Sequence, residues 1–125
     1  MNYFVLTNNP LVKEQAVPGA ETVYKECGFK QILQEAALYV ASGHQLLTHP
    51  LSGSVKPGET PYKSMLLATD AQSTMDTTSA QLISHAIESC DKFSDRSARY
   101  DERTLRDLQL VDKALIGSAL ESANR

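Results

Sequence analysis

The sequence predicts an α/β fold, a three-layer Rossmann-like sandwich of about four mostly parallel strands flanked by helices. Three observations lead there. Tyr3–Leu6 is a continuous run of β-formers, the pattern of a strand buried on both faces. Residues 29–40 carry one apolar stripe at helical spacing. Strand-like and helix-like segments then alternate along the chain. Residues 1–125 are expected to form one domain, an ordinary length for a core without staples.

The first strand ends at Thr7-Asn8-Asn9-Pro10. Asn9 is a good N-cap and Pro10 suits the first helical position, so a short helix is expected over Pro10–Gln15. Pro18 and Gly19 stop it, and Glu21–Glu26 alternates weakly as a second strand nearer an edge. Phe29, Ile32, Leu33, Ala36, Ala37 and Val40 then line one helix face, and Gly43 supplies the left-handed residue that ends a helix. Gln45–Thr48 reads as a third strand and Ser64–Thr69 as a fourth. After a polar linker, Asp76 or Thr77 caps a helix with Leu82, Ile83, Ala86, Ile87, Cys90 and Phe93 on one face. Asp101 caps the last helix, over 101–123, whose stripe is Leu105, Leu108, Val111, Leu115 and Ala119. Leu110, Ile116 and Leu120 fall off that stripe, and a second apolar face suggests a homodimer.

Composition excludes several functions. Net charge is −3 and the pI about 5.5. This argues against nucleic-acid binding, which rests on neutralising phosphates, and against docking on anionic lipid. No apolar run approaches the ~20 residues of a membrane helix. The start, MNYFVLTNNP, reads as a strand and not as a signal peptide. Cys27 and Cys90 are far apart and form no CxxC. A cytoplasmic location with reduced thiols is therefore expected. No cofactor is implied.

The chemistry-bearing groups concentrate between the third and fourth strands, in THPLSGSVKPGETPYK. A loop of that length inside a compact domain, when ordered, is usually functional. It offers His49, the Ser52-Gly53-Ser54 turn, Lys56 and Lys63. In a parallel α/β sheet, ligands collect at the carboxyl ends of strands, where Thr7–Pro10, Thr48–Ser54 and Thr69–Ser73 are expected to meet. Asn8 and Asn9 both donate and accept, and Lys56 or Lys63 supplies positive charge, a set suited to a small anion. Each has a plainer role. Asn8-Asn9 is a cap and turn, and Ser52-Gly53-Ser54 a flexible turn without GxxxxGK[ST] spacing. The lysines are solvent-facing side chains. His49 lacks a Cys or Asp partner at ligand spacing, so no metal is expected. Cys27, ahead of a helix, is the better candidate for a reactive thiol, with an inert role preferred.

TNNPLV at Thr7–Val12, together with LLTHPLSGSVKPGETPYKS at Leu46–Ser64, resembles the GrdX family. These are small bacterial proteins encoded beside the glycine, sarcosine and betaine reductase genes of amino-acid-fermenting anaerobes. The resemblance implies a context and transfers no catalytic residue. It points to an accessory or regulatory protein, with a small anionic ligand or glycine reductase subunits as partners. The ligand would be held through the Thr7–Pro10 and Thr48–Lys63 loops, by Asn8, Asn9, His49, Ser52, Gly53, Ser54, Lys56 and Lys63. The alternative is a small enzyme for an amino-acid-derived or phosphorylated substrate, with His49 as general acid–base. A third reading makes the loop a structural brace.

Overall fold

A computed structural model describes residues 2–16, 18–51, 56–93 and 96–124. Three strands form the sheet: β1 (Tyr3–Thr7), β2 (Glu21–Tyr24) and β3 (Ser64–Ala68). Its helices are α1 (Pro10–Glu14), α2 (Phe29–Ala41), α3 (Thr77–Cys90) and α4 (Glu102–Ala123), with a 3₁₀ turn at Ser97–Arg99. Strand order is β2-β1-β3. β1 pairs parallel with β2, Phe4 opposite Glu21, and antiparallel with β3, Tyr3 opposite Ala68 and Thr7 opposite Ser64.

This corrects the expected four-stranded, mostly parallel Rossmann-like sandwich: the sheet is small, three-stranded and mixed. The expected third strand, Gln45–Thr48, makes one antiparallel bridge, Leu46 to Leu67, and no named strand. Leu47 N–H donates to Leu66 O, and Ala68 N–H to Gln45 O. Only two apolar residues, Leu46 and Leu47, are available there, and Pro50, with no N–H, follows closely. The segment therefore flanks β3 without extending the sheet. β3 runs against β1, so its carboxyl end lies at the other end of the sheet from that of β1. Thr69 N–H accordingly donates to the carbonyl of Asn2, and Thr69–Ser73 does not join Thr7–Pro10.

Side-chain alternation sends the strands' apolar residues to two cores. Phe4, Leu6, Met65 and Leu67 pack with Ile32, Leu33 and Ala36 of α2 and with Ile83 and Ala86 of α3. Val5 and Leu66 turn to the opposite face and meet Val12, Ile116 and Leu120. Helices thus cover both faces.

Local chemistry fixes the helix ends. The Asn9 side chain accepts from Leu11 N–H and Pro10 opens α1. Asp76 and Asp101 accept from Ser79 N–H and Thr104 N–H at the starts of α3 and α4. Gly43, with φ +103°, follows α2 so closely against Gln72 that an added Cβ would lie 2.1 Å from the Gln72 carbonyl oxygen. The inward face of α4 differs from the expected stripe. Asp112, Ile116 and Leu120 are buried, whereas Val111 and Leu115 are exposed. No described helix is long and apolar enough to cross a membrane.

Candidate functional site

The antiparallel register places Thr7, at the end of β1, opposite Ser64, at the start of β3. The two asparagines after β1 therefore meet the lysine before β3, and α4 crosses behind them. Thr7, Asn8, Asn9, Lys63, Ser64 and Asp112 are all buried.

Asp112 organises this cluster. Its Oδ1 accepts Ser64 N–H at 3.0 Å. Its Oδ2 accepts the Ser64 hydroxyl at 2.7 Å and Asn9 Nδ2 at 2.9 Å. The single Ser64 proton is thereby used, so the 2.6 Å contact between Thr7 Oγ1 and Ser64 Oγ has Thr7 as the donor. Thr7 Oγ1 in turn accepts Asn9 N–H at 2.9 Å. Asn9 Nδ2 also donates to the carbonyl of Gln109 at 2.9 Å. Strand β1, the start of α1, β3 and α4 are joined in one polar network.

Asn8 fastens the loop. Its Oδ1 accepts Lys63 N–H at 2.8 Å, and its Nδ2 donates to the carbonyls of Pro61, at 2.8 Å, and Cys27, at 2.9 Å. Gln109 Nε2 donates to the Tyr62 hydroxyl at 2.9 Å. Arg96 N–H donates to the Gly58 carbonyl and the Tyr100 hydroxyl to the Glu59 carbonyl. The described second half of the long loop is therefore tied down at several points along its length.

Lys63 is 6% exposed and Asp112 7%. Burial pushes the Lys63 ammonium below the usual lysine range, and the attraction of Asp112 partly opposes that. Both line a recess walled by Phe29, Leu51, Leu108 and Leu115, with Thr60 and Tyr62 at its polar side. Its enclosed volume is about 20 Å³, room for a group the size of one water. A larger recess, about 360 Å³, shares Phe29 and Thr60 with it and opens between the start of α2 and residues 57–61.

The structure brings together three of the sequence-derived candidates: Asn8, Asn9 and Lys63. Both asparagine side chains are occupied by structural bonds. His49 is exposed, and its Nδ1 accepts Leu51 N–H at 3.1 Å. It lines a different depression, with Ala119, Ser122 and Ala123 of α4. Lys56 is exposed. Ser52, Gly53 and Ser54 lie outside the described residues. No group of three or more His, Cys, Asp or Glu residues fit to hold a metal occurs among the described residues. Burial raises both thiols, Cys27 and Cys90, above the usual range, which disfavours the reactive thiolate.

Asp112 and Ser64 were not among the expected site residues. The signal for Asp112 lay in its spacing: it precedes Ile116 and Leu120 by one and two turns, so the face that buries them buries it too.

Comparison with curated proteins and with solved structures finds no match. The family model described as GrdX-like protein matches residues 4–121, nearly the whole chain and all of the polar cluster, and the protein belongs to that family.

Proposed function

We propose that the protein is an accessory or regulatory component of the glycine, sarcosine and betaine reductase system that binds a small anionic ligand at the mouth of the Lys63 recess, where it adjoins the larger recess at Phe29 and Thr60. Membership of the GrdX-like family supports the context. The observation that carries the ligand reading is the position of Lys63. Its side chain is almost fully buried, yet it lines a recess instead of extending into solvent. Keeping an ammonium there carries a desolvation cost that the attraction of Asp112 only partly opposes, and an anion brought to the recess would add to that attraction. Asn8 and Asn9 serve that arrangement by holding the backbone of Lys63 and the side chain of Asp112. Thr60 and Tyr62 add polar groups at the wall.

The test is a thermal-shift screen with glycine, sarcosine, betaine, acetyl phosphate and inorganic phosphate. At 100 times its dissociation constant a ligand stabilises the fold by ~2.7 kcal/mol. The expected result is a shift with an anionic compound that Lys63→Met removes. A shift that Lys63→Met retains would place binding elsewhere, and no shift with any compound would refute the ligand reading. His49 lies at another depression with its Nδ1 engaged, and nothing among the described residues favours it as a general acid–base.

A further inference from the structure

Much of the outward face of α4 is open to solvent among the described residues. Leu110 is 49% exposed, Val111 41% and Leu115 40%, and Ala114 beside them is exposed as well. At 3.6 residues per turn, Arg103, Leu110, Ala114 and Glu121 fall on one line along this face. Arg103 and Glu121 are 18 residues apart, about five turns, so they mark its two ends. The face thus carries Arg103 at its amino end with Asp107 one turn further on, apolar side chains in the middle and Glu121 at its carboxyl end.

That arrangement is complementary to itself when reversed. We propose that this face is covered by a second copy of the same chain, α4 packing antiparallel on α4 about a two-fold axis. Leu110 then meets Ala114 of the second copy, and Arg103 meets its Glu121. The symmetry makes each contact twice. Gly117, where an added Cβ would meet nothing within 4 Å, comes opposite Asp107 and lets the helices approach closely there. A parallel pairing would stack Arg103 on Arg103 and Glu121 on Glu121. Opposed helix dipoles favour the antiparallel choice as well.

A 22-residue helix is about 33 Å long. One helix face of that length falls short of the ~800 Å² per partner of a standard interface. The dimer is accordingly weak and concentration-dependent. It stands independently of the ligand reading, although Val111 and Leu115 belong both to this face and to the rim of the Lys63 recess.

Sedimentation velocity over a concentration series tests it. The wild-type mass should rise from monomer towards dimer with concentration. Leu110→Glu and Ala114→Glu, both at exposed positions that tolerate substitution, should stay monomeric with unchanged circular dichroism. Arg103→Glu should weaken association about tenfold, since it turns two ion pairs into two repulsions. The double variant Arg103→Glu/Glu121→Arg should recover it. A monomer at every concentration would overturn the proposal, as would a dimer indifferent to Leu110→Glu. A double variant no better than Arg103→Glu alone would overturn the antiparallel arrangement.

Discussion

Replacing Asp112 by alanine removes the acceptor for three donors at once: Ser64 N–H at 3.0 Å, the Ser64 hydroxyl at 2.7 Å and Asn9 Nδ2 at 2.9 Å. The Ser64 hydroxyl can turn to another acceptor. The Ser64 amide cannot, and the Asn9 Nδ2 group keeps only its bond to the Gln109 carbonyl. A buried donor left unsatisfied costs about 1–3 kcal/mol, and hydrogen bonds to a carboxylate lie at the upper end. Losing one partner of a buried charged network costs about 3–5 kcal/mol in total. Against a typical stability of ~5–15 kcal/mol this is a large fraction. At roughly 4 °C per kcal/mol, Tm should fall by about 12–20 °C. Thermal melts followed by circular dichroism, with urea titrations for the free energy, measure it. Asp107→Ala, exposed on the same helix, is the control and should stay within about 0.5 kcal/mol. A loss below about 1 kcal/mol for Asp112→Ala would refute the view that this carboxylate holds the cluster together.

Four further outcomes follow from the same structure. Gly43→Ala should cost ~3 kcal/mol or more in urea titrations, because its Cβ would collide with the Gln72 backbone. Gly19→Ala, at φ +92° in open space, should cost only the ~1–2 kcal/mol of a left-handed residue. Asn8→Ala should destabilise by about 2–3 kcal/mol and make the Lys63 amide exchange faster, since it loses three loop-fastening bonds. Lys63 should leave a signature at alkaline pH. Its folded pKa lies below the usual 10.5, so between the two values the unfolded chain binds more of this proton. Stability therefore gains from Lys63 as pH rises through the folded pKa, and the burial penalty is fully present below it. The stability of wild type relative to Lys63→Met should rise over that window, and a pH-independent difference would contradict the shift.

Local structure was legible where short-range chemistry decides it. The Asn9 cap with Pro10, the Asp76 and Asp101 caps and the glycine after α2 all follow from residue types at fixed offsets. Strand pairing was not, because the run Met65–Ala68 is apolar on both faces whichever way it runs. Gln45–Thr48 has the composition of a strand but too few residues before Pro50 to pair beyond Leu46. That error carried into the site. A parallel sheet would have set Thr69–Ser73 beside Asn8, whereas the antiparallel pair sets Lys63 and Ser64 there. The stripe chosen for α4 followed its leucines and so missed Asp112, which is buried because its hydrogen bonds are complete.

The measurement closest to the central claim is an amide chemical-shift titration of the labelled protein with the anion that gives the largest thermal shift. The largest changes should fall on Thr60, Tyr62, Lys63, Leu108, Val111 and Asp112, which line the Lys63 recess, and Lys63→Met should abolish them while leaving the rest of the spectrum in place. Changes centred on His49 and the end of α4, or equal changes in Lys63→Met, would contradict the assignment of the ligand site to Lys63.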